Sequence, residues 1–538
     1  MVLPLRAVLA VLAGVLFIAT PVSSFAASSA AMTHVNRAIE AQGGEAALAG
    51  LRTIVIRGSH VQYEIESSYK LGKAAEAREG SNAKFVIQRD LASGNARIDW
   101  DRTVVRTPKP LIQKYSEIMG ADGIGYVSGI DSAARTAFSK TSSPPGHPMS
   151  GARAATTLRE LTRQSPRLLL DMKNNPKAVK AAPTQAVDGR KYPAVQYDVR
   201  DWSYTVMFDP QTRLPARIRT RDGDAIQGDS NYDLVLSDWR DVGGVKIAHA
   251  QTYQLNGRDL LVGKYDQATP NPALAGSLFE MPHTARAIAV RAAMGNVPHQ
   301  WIIRRGHWGN LLDSDHVGWD AGTEPQLVDI GPGVSLSQGS SANSMVVEMP
   351  KYLVVFDAPY GELFSEWFID AAKKRYPGKP VKYLMMTHHH WDHASGARTY
   401  AAEGATVIVG KGAREHYANM FKASGAMLDD RLSRTPRKVN IVEVDGKHVL
   451  KDGKREVHMY LIESEHALAT LIGYVPDASI GFVTDIFSTN APLPPKATQN
   501  HIDLVNGTKK WGINPERFAP GHGSVAPYAP LVKLVEGK

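Results

Sequence analysis

Met386-Thr-His-His-His-Trp-Asp-His393 is the stretch of sequence that decides the fold of the second part of this chain. Before it, Val381–Met385 is typical of a short buried strand. After it, the small residues Ala394–Ala397 let a helix begin close to the histidines. Within six positions the stretch offers four potential ligands: His388, His390, Asp392 and His393. Neutral imidazole and carboxylate are ligands that zinc and similar divalent metals prefer, so the pattern predicts a metal site rather than a histidine-rich surface loop.

Three further potential ligands follow, each at a junction between a predicted strand and a loop. His466 comes after the strand 457–462, Asp485 ends the strand 480–484, and His522 lies between two glycines. Glycine lets the backbone approach a site closely. Each residue alone could be a turn, capping or loop residue. Their order and spacing after the six-residue motif argue against coincidence.

The N-terminus predicts export. Arg6 gives a positive start, Ala7–Ala19 is apolar, and small residues surround a cleavage point after Ala26. The apolar run is short for an uncleaved membrane anchor, and nothing later resembles a membrane span. We therefore expect residues 1–26 to be a signal peptide and the mature protein to be periplasmic or secreted.

Composition narrows the chemistry and the partners. A length of 538 residues with 43% hydrophobic content predicts at least two domains with sizeable cores. The chain has no cysteine, which excludes disulfides, a cysteine-linked lipid and a thiolate nucleophile or ligand. The net charge is +9, but the basic residues are scattered, so we expect a small-molecule substrate and no nucleic-acid partner. The oligomeric state stays open.

Residues 28–285 read as an antiparallel β-rich α+β domain. A helix is predicted from Thr33 to about Gly50, and successive hairpins run to a closing Leu278–Pro282. Residues 118–154 are rich in Gly, Ser, Ala and Pro and predict a loop. The hairpin run and its closing segment resemble the half-barrel domains of periplasmic lipoprotein carriers. We find no catalytic constellation here and interpret the isolated histidines as structural or surface residues: His34, His60, His147, His249 and His283.

Residues 286–325 predict a linker or interdomain contact, because His299, His307 and His316 fit no ligand spacing with the nearby acids. From residue 326 to 538, strands alternate with helices, which is typical of a layered α/β domain.

Residues 330–530 resemble the metallo-β-lactamase superfamily, whose five landmarks occur in order: Asp357, the 388–393 motif, His466, Asp485 and His522. The resemblance implies an αββα sandwich with a metal site at the edge of its two sheets. The ligands implied for a first metal are His388, His390 and His466. Those implied for a second are Asp392, His393 and His522, with Asp485 bridging both. Asp357 is expected to orient a ligand histidine.

The resemblance implies a hydrolase with two zinc ions per chain, iron or manganese being possible in their place. Two cations that share a water give hydroxide at neutral pH, which attacks an ester, lactone, thioester, β-lactam or phosphodiester-like bond. Asp392 is the expected catalytic residue, because it can hold or accept a proton of the nucleophile. Two alternatives remain open. One is a mononuclear iron oxidative enzyme of the same fold, and the other is a periplasmic amphiphile-binding protein with an inactive metal domain.

Departures from the family's subgroups concern the ligands and the loops. Without cysteine, the β-lactamase subgroup that uses one in its second site is excluded, and Asp485 favours the broader hydrolase branches. Glu465 stands where the family usually has glycine, which puts the reach of His466 in question.

The loops 358–365, 413–437 and 486–500 are expected to shape the substrate site. Their apolar residues could form a wall or belong to the core: Tyr360, Trp367, Tyr417, Met420, Phe421 and Phe487.

Overall fold

The computed structural model describes residues 22–72, 76–105, 109–131, 145–149, 151–283, 299–301, 304, 326–338, 342–489 and 492–537, with side chains from residue 29 onward. The expected signal peptide lies almost wholly outside the described residues, and its cleavage stays a prediction. Most of the expected linker 286–325 lies outside them as well. No helix in the described ranges combines the length and the apolar character that crossing a membrane requires.

The helices and strands have the following bounds. The α-helices are α1 (Val22–Gln42), α2 (Glu45–Gly50), α3 (Gly151–Arg163), α4 (Leu168–Asn174), α5 (Glu362–Arg375), α6 (Trp391–Ala394), α7 (Ala397–Glu403), α8 (Arg414–Lys422), α9 (Arg431–Arg434), α10 (Gln499–Trp511) and α11 (Ala529–Glu536). The strands of the N-terminal domain are β1 (Thr53–Glu64), β2 (Arg78–Asp90), β3 (Ala96–Val104), β4 (Leu111–Met119), β5 (Gly125–Gly129), β6 (Gly146–Pro148), β7 (Val179–Val187), β8 (Arg190–Val199), β9 (Trp202–Phe208), β10 (Pro215–Asp224), β11 (Gly228–Val242), β12 (Val245–Leu255) and β13 (Arg258–Pro270). The strands of the C-terminal domain are β14 (Gln326–Gly331), β15 (Val334–Gln338), β16 (Met345–Glu348), β17 (Leu353–Phe356), β18 (Val381–Met385), β19 (Thr406–Gly410), β20 (Ile441–Val444), β21 (Lys447–Asp452), β22 (Arg455–Leu461), β23 (Leu471–Val475), β24 (Ile480–Val483), β25 (Arg517–Pro520) and β26 (Ala526–Pro527).

The N-terminal domain is one large antiparallel sheet, as the hairpin pattern predicts. Its strand order is β6-β5-β4-β3-β2-β1-β13-β12-β11-β10-β9-β8-β7, so that β1 pairs with β13 and joins the two halves of the meander. Along β1 every second side chain is buried, because successive residues of a strand point to opposite faces. Helices α1 and α4 pack their apolar residues on this sheet. The prediction of a loop over residues 118–154 is wrong in part, since β5 and β6 lie within it and pair with each other.

Helix α3 lies over the sheet and carries three buried arginines, each paired with acids of the domain. Arg153 contacts Asp131 at 2.5 Å, and Arg159 contacts Asp222 at 2.8 Å. Arg163 contacts Glu160 of the same helix at 2.7 Å. A buried cation without a partner would destabilise the fold strongly, so the pairs with Asp131 and Asp222 fix where α3 lies.

The C-terminal domain contains two mixed sheets, of order β14-β15-β16-β17-β18-β19-β20 and β21-β22-β23-β24-β25-β26. Buried residues of both sheets form one core, in which the rings of Phe356 and Phe482 lie 5.4 Å apart. Val355, which precedes Phe356 on β17, belongs to a second core, formed with α5, α7 and α8. The other sheet has its own outer core with α10 and α11. Strands buried on both faces explain the continuous apolar runs of this part of the sequence.

The two domains contact each other at the end of β1 and at the turn between β10 and β11. The backbone N–H of Trp391 donates to the carbonyl of Glu66 over 3.3 Å, and the N–H of Leu468 donates to that of Tyr69 over 2.9 Å. At the β10–β11 turn, the Asp229 carboxylate accepts from the backbone N–H of Met427 over 2.8 Å. The first of these contacts lies beside the histidine motif.

Candidate metal centre

The predicted ligands lie where strands of the C-terminal domain end. The parallel strands β17 and β18 lead to Asp357 and to the motif, and the parallel strands β24 and β25 lead to Asp485 and His522. The carboxyl ends of parallel strands meet at one edge of a sheet, which is where α/β proteins place their sites. Asp357 and Asp485 have φ angles of 56° and 61°, a backbone conformation that only a few residue types besides glycine tolerate.

Two glycines let the chain come this close to the site. A Cβ on Gly396 would lie 2.0 Å from Ser365 Oγ, so the helix after the motif could not start where it does with any other residue. A Cβ on Gly521 would lie 2.1 Å from the side chain of Thr484 and 3.2 Å from the ring of His393. Both glycines are among the small residues that the sequence places beside the ligands.

Seven side chains converge into two groups that share one carboxylate. The first group is His388, His390, His466 and Asp485, and the second is Asp392, His393, Asp485 and His522. Within each group the potential ligand atoms all lie within 4.8 Å of one another. One Asp485 oxygen, Oδ2, lies 3.1 Å from His388 Nε2 and 2.9 Å from His466 Nε2. The other oxygen, Oδ1, lies 2.8 Å from His522 Nε2.

For His388 and His390, the hydrogen bond of one ring nitrogen determines which nitrogen faces the site. His388 Nδ1 is 3.1 Å from Thr484 Oγ1, which leaves Nε2 toward Asp485. His390 is reversed, because its Nε2 donates to the carbonyl of Ser68 over 3.0 Å and its Nδ1 faces His466 Nε2 at 3.0 Å. A ligand histidine is normally oriented in this way by a partner at its other nitrogen.

Asp357 has the position expected of a residue that orients a ligand. Its Oδ2 lies 3.5 Å from His393 Nδ1, and its carboxylate accepts from the N–H of Thr387 over 2.7 Å and from the hydroxyl over 2.6 Å. Burial raises the pKa of Asp357 to about 6, although the nearby His393 opposes this shift. His393 Nε2 is thereby left facing Asp485 Oδ2 at 3.2 Å.

The site combines an ionised carboxylate with imidazoles whose pKa values are shifted in opposite directions. Burial lowers the pKa of His388 to about 3, so this ring is neutral at pH 7. Burial acts against charge on Asp485 too, but His393, His466 and His522 outweigh it and hold its pKa well below the usual range. For His522, burial is outweighed by Asp485, which raises the pKa of the imidazole well above its usual range. A carboxylate that attracts positive charge, beside neutral rings such as His388 that offer a lone pair, is the electrostatic setting of a cation site.

The donor set fits divalent metals of the zinc type. In the described part of the chain, neither ring nitrogen of the fully buried His393 makes a hydrogen bond of good geometry, although the ring lies between the carboxylates of Asp357 and Asp485, and a cation bound at Nε2 would satisfy it. The donors are imidazole nitrogens and carboxylate oxygens, which zinc, iron and manganese all accept. The first group provides three imidazoles and the second two, with Asp485 common to both. Residues from either group could therefore hold one cation each.

The structure brings together every predicted ligand, and Glu465 does not keep His466 from the site. The catalytic role of Asp392 stays a prediction. Five of the six apolar residues proposed for a substrate wall lie in or against the core between the first sheet and its helices. Tyr360, Tyr417 and Met420 belong to that core, and Trp367 and Phe421 pack against it. Phe487 lies in the outer core with α10. These side chains therefore contribute to the cores that hold the helices on the sheets, and an apolar wall of the substrate site stays a prediction.

Sequence reasoning missed three residues that orient the ligands. Thr387 and Thr484 stand directly before His388 and Asp485, so threonine at a strand end next to a ligand is the signal that could have found them. Ser68 belongs to the other domain, and no local pattern connects it with the motif.

A family model described as the Metallo-beta-lactamase superfamily matches residues 338–525. This region contains all the ligands and both sheets from β16 to β25. The C-terminal domain thus belongs to the metallo-β-lactamase superfamily. A search of curated proteins gives no significant match.

Solved structures similar to the chain are related at low identity. A metal-soaked flavodiiron core from Synechocystis sp. PCC6803 has 18% identity and a TM-score of 0.31, covering 39% of this chain and 60% of its own. A metallo-beta-lactamase from Pontibacter korlensis has 15% identity and a TM-score of 0.31, covering 40% of this chain and 100% of its own. A stereoselective inverting sec-alkylsulfatase from Pseudomonas sp. has 17% identity and a TM-score of 0.29, covering 38% and 39%. This chain therefore spans less than two thirds of two of these proteins, and similarity at this level carries no argument about activity.

Metal content should follow the two groups of ligands. We expect about two divalent ions per wild-type chain, about one in His522→Ala, and at most about one in Asp485→Ala, because only Asp485 serves both groups while three imidazoles remain in the first. Elemental analysis after dialysis measures this. The matched control is His458→Ala, whose ring contacts Glu456 and Tyr460 on β22 and no ligand. Equal metal content in His522→Ala and wild type would contradict the assignment.

Proposed function

We propose that the protein is a metal-dependent hydrolase with a dinuclear centre, zinc being the expected metal. The observation that carries the proposal is the position of Asp485 between the two groups: its Oδ2 lies 2.9 Å from His466 Nε2 of the first group and 3.2 Å from His393 Nε2 of the second, and its Oδ1 lies 2.8 Å from His522 Nε2. The expected order of layers, helix-sheet-sheet-helix, agrees with the three cores of the domain. Export of the protein is part of the proposal and rests on the N-terminal sequence alone.

Two cations held by these groups would supply a hydroxide nucleophile at neutral pH and polarise the bond that it attacks. The chain's own residues then have distinct tasks. Thr484, Asp357 and the Ser68 carbonyl keep the ligand rings in one orientation. Asp392 Oδ2 lies 3.5 Å from both His393 Nε2 and His522 Nε2, where it can hold a proton of the nucleophile.

The exposed side of the centre indicates where a substrate approaches. The side chains of His466, Asp485 and His522 are 14%, 15% and 19% exposed, whereas those of His388 and His393 are 1% and 0% exposed. The substrate must therefore approach past these three side chains and that of Asp392, which is 20% exposed. An ester, lactone, thioester, β-lactam or phosphodiester presents the polar carbonyl or phosphoryl oxygen that such a centre can polarise.

The alternative of a mononuclear iron oxidative enzyme needs only the first group. The convergence of Asp392, His393 and His522 around Asp485 favours two cations over one. A single iron per chain in the purified protein would favour the oxidative alternative.

Hydrolysis should depend on the shared carboxylate. We expect zinc-loaded protein to hydrolyse one class in a panel of chromogenic esters, lactones, thioesters, phosphodiesters and a β-lactam. Asp485→Asn should lower kcat/KM by at least about 100-fold, since an amide cannot balance two cations. His458→Ala should keep wild-type kcat/KM. Wild-type protein that contains two zinc ions and hydrolyses no member of the panel would contradict these substrate classes.

A cavity in the N-terminal domain favours a second role, the binding of an amphiphile. The cavity has a volume of about 150 Å³ and lies between α3 and strands β1–β4, β12 and β13. Its walls include Phe85, Trp100, Tyr115 and Leu261, with the buried guanidinium of Arg102 5.0 Å from the ring of Tyr115. Burial lowers the pKa of Arg102 to about 10, although the nearby Glu117 and Asp131 oppose this shift. We propose a ligand with an acyl or aromatic body.

Filling this cavity should abolish ligand binding without changing metal content. Decanoate serves as the probe in isothermal titration calorimetry, and Leu261→Trp should lower its affinity at least about tenfold because the larger ring occupies the cavity. Val262→Trp is the matched control, since Val262 is the next residue of β13 and is 41% exposed. Decanoate that does not bind wild-type protein would contradict this role.

A further inference from the structure

The segment of residues 64–70, at the end of β1 in the N-terminal domain, lies against the histidine motif of the C-terminal domain. The carbonyl oxygen of Ser68 accepts two hydrogen bonds, from His389 Nε2 and His390 Nε2, each over 3.0 Å. Ser68 and both rings are buried. A polar contact excluded from water in this way is stronger and more directional than one at the surface.

A backbone carbonyl can only accept a hydrogen bond, so it fixes the protonation of the ring that it meets. His390 must carry its proton on Nε2, which leaves the lone pair on Nδ1. That Nδ1 lies 3.0 Å from His466 Nε2 within the first group of ligands. The N-terminal domain therefore determines which nitrogen of a predicted metal ligand is available.

Backbone hydrogen bonds hold the 64–70 segment against the C-terminal domain. The carbonyl of Glu66 accepts from the N–H of Trp391 over 3.3 Å, and the carbonyl of Tyr69 accepts from the N–H of Leu468 over 2.9 Å. These bonds flank Ser68 on both sides. They tie the segment to the residues next to His390 and close to His466.

A buried charge cluster anchors the same segment from its own domain. Arg304 contacts Glu66 at 2.6 Å and Asp224 at 3.2 Å, and it also pairs with Glu64. All four side chains are at most 7% exposed. Breaking such a cluster leaves buried charges unpaired, which makes a displaced segment unfavourable. The ring of Trp301, over which Arg304 lies, packs on Trp391 at 5.2 Å.

We propose that the 64–70 segment is a positioning element of the metal centre, and that it sets the affinity of the first site by fixing the ring and tautomer of His390. The N-terminal domain is thus a structural part of the centre rather than an independent module. This inference rests on the metal binding of the proposed function and not on hydrolysis or on the substrate.

Loosening the segment in the full chain tests the proposal. In Ser67→Gly/Ser68→Gly the carbonyl remains, but two residues gain backbone freedom, so His390 loses a fixed partner. We expect the first zinc to bind about 10- to 100-fold more weakly, with the second changed by less than about threefold. Competition with a chromophoric chelator measures both dissociation constants. The matched control is Ala92→Gly/Ser93→Gly in the exposed turn after β2, which should bind as wild type.

Unchanged affinity in Ser67→Gly/Ser68→Gly would overturn the inference while leaving the metal centre intact. A wild-type chain that binds no zinc would instead overturn the proposed function.

A second measurement of the same proposal needs no variant. In histidine-labelled, zinc-loaded wild-type protein, nitrogen–proton NMR should show His389 and His390 each with a slowly exchanging proton on Nε2. A His390 proton on Nδ1 would overturn the inference, whatever the variants do.

Discussion

The structure depends on one partly buried carboxylate among five imidazoles. Asp485 follows β24 with a φ of 61°, and its carboxylate lies within 3.2 Å of imidazole nitrogens of both groups of ligands. That position is possible only because strands of both sheets end at the same edge and because glycine at 521 lets His522 approach. The charge of the carboxylate makes the cluster attractive to cations, while burial keeps rings such as His388 neutral and able to bind them. The strands that form the two sheets of the C-terminal domain therefore also position the ligands of the site.

The N-terminal domain joins that arrangement through a few buried contacts. Two hydrogen bonds converge on the carbonyl of Ser68, and the Arg304 cluster holds the same segment in place. The rest of the domain is built differently, as a long antiparallel sheet that encloses a cavity under α3. The hydrogen bonds from the ligand histidine and its neighbour to Ser68 give a physical reason for the two parts of this chain to stay together.

Much of this could be predicted from the sequence, because the informative residues are local or carry rare chemistry. The 388–393 motif and the strand-end positions of His466, Asp485 and His522 predicted the whole ligand cluster. The hairpin pattern predicted the antiparallel sheet. The prediction of a loop over residues 118–154 failed, because it relied on a Gly- and Ser-rich composition and not on a periodic pattern. Strands form there because pairing with β4 overrides their weak intrinsic propensity. The link from Ser68 to His390 spans 322 residues and uses a backbone atom, which no side-chain pattern records.

The most direct measurement of the central claim is a crystal structure of the zinc-loaded full chain with anomalous data at the zinc absorption edge. Two peaks should appear, one on each side of the Asp485 carboxylate. The first should be bound through His388 Nε2, His390 Nδ1 and His466 Nε2, with Ser68 still hydrogen-bonded to His390. A single peak, or two peaks without Asp485 between them, would contradict the account.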